Sequence, residues 1–248
     1  MKASVWRSMA KTAAATTGYF IVHSLLASQG VKDRVARRFG QRQRNGWYRL
    51  FYSTQATVGL GALALYVMRL PDHRLYRVQG PCAGLLHVGQ VAGVLWLLAS
   101  IYPVGLRRLL GIHNAWGWMK GREGTAELEA QGPILDEKGK LCIKGPFHYS
   151  RQPLNFGPLL VFWLHPTMTA NLATFNLLMT FYMLIGSKLS DERLRDAYGA
   201  AYADYQNSGV SLLVPSPFAL TGKSNDAEPQ HLTESRAQEA AESAGNSQ

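Results

Sequence analysis

Five runs of mostly apolar residues, parted by loops rich in arginine and lysine, leave this chain few ways to fold. They fall near 12–29, 50–70, 83–105, 154–168 and 170–188. Each approaches the roughly 20 apolar residues that a helix needs to cross a bilayer. The expected fold class is therefore an all-α integral membrane protein with about five transmembrane helices. The fourth run is short, which tilt or a partly interfacial position accommodates. Residues 165–169 turn it back into the fifth run, so the two read as a helical hairpin. The first run has the outline of a secretory signal, with Lys and Arg before it and small residues at its end. His23, Ser24 and several threonines interrupt its apolar core, and it reads as a retained helix.

Bulk composition hides this pattern. Mean hydropathy is −0.09, a value typical of soluble proteins, because apolar and polar residues are segregated along the chain. A net charge of +10 first suggests nucleic acid. The basic residues form no single face, however; they sit between the apolar runs, which argues for a membrane lipid environment and no nucleic acid. From the N-terminus through the successive loops to the C-terminal part they number three, seven, three, eight, none and five. Lysine and arginine accumulate on the cytoplasmic side of membrane proteins. The alternation predicts an inner-membrane protein with its N-terminus outside and its C-terminus in the cytoplasm. Cys82 and Cys142 are the only cysteines and suggest neither a disulfide framework nor a metal site.

The third loop is long. Within it, residues 134–143 place apolar arms around Lys138-Gly139, the pattern of a small β-hairpin. After the fifth run, Leu194, Ala197, Tyr198, Ala201 and Tyr205 recur at helical spacing, predicting a cytoplasmic amphipathic helix over 190–206. Ser190 followed by Asp191, Glu192 and Arg193 reads as its N-cap and acidic first turn. Residues 210–217 read as a return segment. Residues 1–222 form one domain, and 223–248, poor in large apolar residues, are expected to be a disordered tail.

The most informative stretch is 145–157, Gly-Pro-Phe-His-Tyr-Ser-Arg-Gln-Pro-Leu-Asn-Phe-Gly. Pro153 suits the first turn of a helix, and an arginine ahead of a membrane helix is an ordinary cytoplasmic anchor. Asp191 and Glu192 in turn suit a helix start. The topology places both elements on one membrane face, where Arg151 could hold a carboxylate bidentately and the acidic pair an ammonium group or hydroxyls.

This order of features resembles the isoprenylcysteine carboxyl methyltransferase superfamily of membrane enzymes. There the loop typically reads Gly-Pro-Tyr-Arg-Tyr-x-Arg-His-Pro-x-Tyr-x-Gly, and the acidic pair is Glu-Glu, often followed by Arg. The chain matches at Gly145, Pro146, Tyr149, Arg151, Pro153, Gly157 and Glu192, and conservatively at Phe147 and Asp191. Tyr198-Gly199, Tyr202, Tyr205 and Pro215 resemble the family's ending. At the front, residues 23–28, 31–32 and 48–52 resemble two branches, the methanethiol S-methyltransferases and the NnrU-type membrane proteins linked to denitrification. The resemblance implies a methyltransferase that uses S-adenosyl-L-methionine and a small or lipophilic acceptor such as a thiol. It implies catalytic roles for Arg151, Gln152 and Glu192. Tyr149, Arg151, Pro153, Gly157, Asp191, Glu192 and Arg193 would bind the cofactor, with Tyr149, Tyr198, Tyr202 and Tyr205 as aromatic faces for its sulfonium. No metal is implied.

Gln152 stands where the family has histidine. Glutamine donates and accepts hydrogen bonds but takes up no proton near neutral pH. A proton relay at that place would be lost or moved, with His148 as a displaced candidate. Two other readings stay open. A catalytically silent, NnrU-like accessory protein would tolerate Gln152. His23 and His87, both inside apolar runs, would be the ligands of a haem protein. Gly89 and Gly93, at Gly-x-x-x-Gly spacing, let two helices pack closely.

Overall fold

A computed structural model describes residues 3–121, 131–136 and 139–216. The expected tail from 223 and the Lys138 end of the expected hairpin turn lie outside them. The described residues are mostly helical. Long helices α1 (Ala3–Ala27), α3 (Gln41–Met68), α4 (Pro81–Val104) and α8 (Ala170–Tyr198) run with the shorter α7 (Pro153–Trp163). Short helices α2 (Gln29–Phe39), α5 (Leu106–Leu109), α6 (Ile112–Met119) and α9 (Ala200–Asn207) gather with strands β2 (Ile134–Leu135) and β3 (Leu141–Cys142) at one end. Strands β1 (Arg74–Arg77) and β4 (Thr167–Thr169) mark the other.

Three helices, α3, α4 and α8, are long and apolar enough to cross a membrane. Only 6% of the apolar window of α3 and of α4 is buried, so their leucines and valines face outward. Val58, Leu65, Val88, Leu95 and Leu98 are all exposed. Apolar surface on this scale suits lipid rather than water. Helix α1 is more polar. Its Ser8, Thr12 and Thr16, one turn apart on one face, are buried, and Ser8 accepts a hydrogen bond from Asn171 of α8. Small residues at this spacing bring helix backbones close.

Helix α4 holds α7 in the same way. Gly93 and Gly157 face each other so closely that a Cβ on Gly157 would lie 2.7 Å from the Gly93 carbonyl oxygen. Gln90 donates to the Val161 carbonyl at 2.7 Å, and the Trp96 indole to that of Pro153 at 3.0 Å. The expected close packing through Gly93 is therefore present, with α7 as the partner.

At the strand end, β1 pairs antiparallel with β4, Arg77 opposite Thr167 and Arg74 opposite Thr169. Residues read from sequence as a plain turn between two helices thus tie the second loop to the fourth. At the other end β2 pairs antiparallel with β3.

One boundary differs from the sequence reading. Ser190 caps nothing, because α8 continues through it to Tyr198. Nothing between Ser190 and Tyr198 removes an N–H or demands a positive φ, so the helical ladder goes on. The break falls at Gly199, whose φ of 57° is costly for other residues. Asp191, Glu192 and Arg193 therefore project from the last turns of a long helix rather than from the start of a new one.

Candidate functional site

The 145–157 stretch is shaped by the core beneath it. A 3₁₀ turn, Gly145–His148, buries Phe147 completely among Val104, Leu154 and their apolar neighbours. The next residues run alongside the return segment. The Arg151 and Gln152 amides donate to the Ser211 and Leu212 carbonyls, each at 2.9 Å, and the Ser216 amide donates to Tyr149. Pro153 then opens α7, where its missing N–H is not needed.

Arg151 meets Asp191. Its Nε donates to Oδ1 at 3.0 Å and its Nη2 to Oδ2 at 3.1 Å, the bidentate form. Its Nη1 donates to the Val210 carbonyl at 2.8 Å and the Gln206 carbonyl at 3.3 Å. Asp191 also accepts from the Tyr202 hydroxyl at 2.7 Å and from Gln206 Nε2 at 2.8 Å. Tyr205 donates to the Phe147 carbonyl. Burial, and then the Asp191 carboxylate, push the Tyr202 phenol above the ordinary tyrosine range. Burial raises Tyr205 as well, against the opposing pull of Arg151. This network clamps the loop, α8, α9 and the return segment together.

Beside the clamp lies a cavity of about 280 Å³, near the lower end of the ~300–1,000 Å³ usual for small-molecule sites. The ends of five helices meet there. Helix α1 brings His23, Ser24 and Ala27; α2 brings Lys32; α3 brings Arg49 and Tyr52. The start of α7 adds Gln152 and Asn155, and α8 adds Tyr182, Gly186, Ser190 and Arg193. Asn155 donates to Ser187 of α8 at 2.8 Å, joining the two walls. No carboxylate is among the described lining residues, and three cations are. Two lining side chains carry a buried nitrogen with no hydrogen-bond partner, Gln152 Nε2 and His23 Nδ1.

The structure thus separates the residues that the sequence grouped. Gln152 and Arg193 line the cavity. Arg151 and Asp191 lie in the clamp and spend their polar atoms on protein partners. Pro153 and Gly157 position α7, the latter against α4. Tyr149 is exposed, and Glu192 is exposed on α8 outside the lining set. Tyr202 and Tyr205 are buried in the clamp, and Tyr198 packs beside it, so the aromatic faces on the cavity are instead Tyr52 and Tyr182. His87 bonds Gln90 of its own helix and does not line the cavity. Sequence reasoning did not single out Tyr52, Asn155 or Tyr182 for this site. Two signals were available: Tyr52 fell within a stretch that resembled the family's front, and Asn155 within the 145–157 stretch.

No family model matches the chain, and no solved structure matches it. Several curated proteins do. Methanethiol S-methyltransferase 1 of Bradyrhizobium diazoefficiens is 26% identical over 79% of this chain and 63% of its own length. Methanethiol S-methyltransferase of Mycobacterium tuberculosis is 27% identical over 82% of the chain and 77% of that protein. A shorter match to the Pseudomonas protein of that name reaches 42% over 86 residues, 34% of this chain and 33% of that one. The chain thus spans between a third and about three fifths of two of these three relatives and more of the mycobacterial one. Its similarity to the methanethiol S-methyltransferase branch is established.

Proposed function

We propose that the chain is a membrane methyltransferase that moves a methyl group from S-adenosyl-L-methionine to a small thiol, methanethiol or a close analogue, at the cytoplasmic face. One observation carries this reading: the cavity joins the Gln152 turn to the Arg193 side of α8 in a chain similar to enzymes of that name.

The lining fits such a cofactor. Arg193 has no ion-pair partner among the described residues, and an arginine there suits an amino-acid carboxylate. Gln152 Nε2, buried without a partner, gains one from a bound polar group. Tyr52 and Tyr182 offer ring faces to a cationic sulfonium. When bound, S-adenosylmethionine supplies an electrophilic methyl group to a thiolate. The chain's own part is to fix two reactants in line and to keep the thiol ionised. Lys32, Arg49 and Arg193 around the cavity favour the anion. Arg151 and Asp191 hold the walls in register, and Pro153 and Gly157 seat α7. Tyr149 and Glu192, outside the lining set, are given no direct contact with the cofactor in this reading. An acceptor soluble in lipid enters between the helices, whose outer faces are apolar.

Five membrane segments are part of this proposal, with α1 and a tilted α7 joining α3, α4 and α8. The cavity lies at the end carrying the first and third loops, the two richest in Lys and Arg, and that end is proposed as cytoplasmic.

The test is equilibrium dialysis of purified protein with labelled S-adenosylmethionine, followed by addition of methanethiol. Binding followed by volatile labelled product supports the proposal. Binding without product at any pH points to the silent accessory protein, and no binding overturns both the cofactor and the reaction.

A further inference from the structure

Gln152 cannot act as a base, yet a thiol must lose its proton before it attacks. Among the described lining residues one other side chain suits that task. His23 lines it from α1, its Nε2 lies 2.7 Å from the Tyr52 hydroxyl, and its Nδ1 is buried with no partner. Aromatic contacts fix the ring, Tyr19 stacked on it at 5.9 Å and Tyr52 tilted against it at 4.8 Å between centroids. When Nε2–H donates to the Tyr52 oxygen, Nδ1 carries the lone pair, the arrangement by which a second hydrogen bond fixes a histidine's tautomer.

We propose that His23 is the catalytic base of this cavity and that it accepts the proton of a small thiol, with Tyr52 positioning the ring. The proposal rests on the thiol-methylating reading above. In the step itself the S–H bond breaks, a bond forms between that proton and Nδ1, and the electron pair stays on sulfur as thiolate. The imidazolium then releases the proton to water. The titratable and charged groups near the ring are Tyr19 on its own helix, Lys32 on α2, Arg49 and Tyr52 on α3, and Tyr182 and Arg193 on α8. The imidazolium and the Arg193 guanidinium, both on the cavity, hold the thiolate until it attacks. Chemistry that the loop histidine would perform elsewhere is thereby supplied from the first helix.

The experiment uses the full chain in detergent with ethanethiol as probe and no methyl donor. Thiolate is read from its ultraviolet absorbance against pH. Wild-type protein is expected to ionise bound ethanethiol about one pH unit or more below its value in water, and His23→Gln to reverse most of that shift. In methyl-transfer assays His23→Gln is expected to lose on the order of a hundredfold at neutral pH. That loss shrinks about tenfold per pH unit as the thiol ionises unaided. Imidazole in the buffer restores His23→Ala, which a merely structural histidine would not allow. His23→Gln with a wild-type thiolate midpoint, or a rate loss independent of pH with no imidazole rescue, overturns the proposal. Failure of wild-type protein to bind S-adenosylmethionine would sink the methyltransferase reading instead, while the donor-free thiolate measurement still decides the role of His23.

Discussion

At the scale of single residues the clamp and the cavity make opposite demands. Asp191 accepts four hydrogen bonds, two from Arg151 and one each from Tyr202 and Gln206. The pair is mostly buried, with side-chain exposures of 16% and 9%. Removing one partner strands the other's charge, so Asp191→Ala is expected to destabilise the protein by about 3 kcal/mol or more, measured as a shift in chemical unfolding in detergent. Tyr202→Phe, which removes one bond to a carboxylate, costs about 1.5–3 kcal/mol. The raised Tyr202 phenol adds a pH dependence of definite sign. Its folded state holds the proton more tightly than the unfolded chain, so that stability is whole below the ordinary tyrosine value near 10. It is lost as pH rises from there toward the higher folded value, and Tyr202→Phe should flatten this alkaline decline. Arg193 behaves differently. Arg193→Ala should weaken S-adenosylmethionine binding about ten- to a hundredfold, the worth of one charge-assisted contact, while unfolding changes little. Glu192→Ala, on the exposed side of the helix, should weaken binding less. That Arg151 and Asp191 would lie at one end was legible from sequence, but each was expected to hold a cofactor group and not the other. That they would saturate each other, leaving Gln152 and Arg193 to the cavity, depends on Gln206 and Val210, whose approach no local pattern reveals.

At the scale of elements, the apolar runs were legible wherever length alone decided them, as in α3, α4 and α8. Boundaries set by tertiary contacts were not. Ser190-Asp191-Glu192 carries the composition of a helix start, but the chain already arrives there as a helix and has no reason to restart. Basic α2 passed for loop because its amphipathic face becomes meaningful only against α3. Strand β4 needs β1, ninety or so residues away, to exist at all. The glycine spacing on α4 was readable, and its partner identifies what depends on it. A Cβ on Gly157 meets Gly93 oxygen at 2.7 Å and Leu97 Cβ at 3.0 Å, a backbone atom and a side-chain root that cannot swing aside. Gly157→Ala is therefore expected to push α7 from α4 and cost about 1–3 kcal/mol. Because Gln152 and Asn155 ride on the start of α7, cofactor affinity should fall with it, as dialysis of the purified variant would register. Gly61→Ala makes the control: its added Cβ meets nothing within 4 Å and Gly61 does not line the cavity, so stability and affinity should hold.

At the scale of the whole molecule, the helices sort the loops into two ends, and the cavity belongs to one of them. Following the chain, α3 runs from the cavity end, where Arg49 sits, to Met68 and strand β1. Helix α4 then returns from Pro81 to Val104, and the 145–152 loop follows at the cavity end. The two cysteines of the sequence lie on this path at opposite ends of α4. Cys82 is exposed at the helix start, and Cys142 is half-buried in β3. In the proposed orientation, taken from the lysine and arginine bias, the Cys142 end is the cytoplasmic one. A membrane-impermeant maleimide applied to intact cells should then modify Cys82 and spare Cys142, and inside-out vesicles should reverse the pattern. Cys82→Ser and Cys142→Ser variants assign the two signals. Labelling of both from one side would mean that α4 does not span, and the outward apolar faces of α3 and α4 would need another partner than lipid. Labelling in the reversed sense would leave the fold intact but place the cavity outside the cell, away from any cytoplasmic supply of S-adenosylmethionine. That single result would remove the methyl donor from reach while leaving every contact described above unchanged.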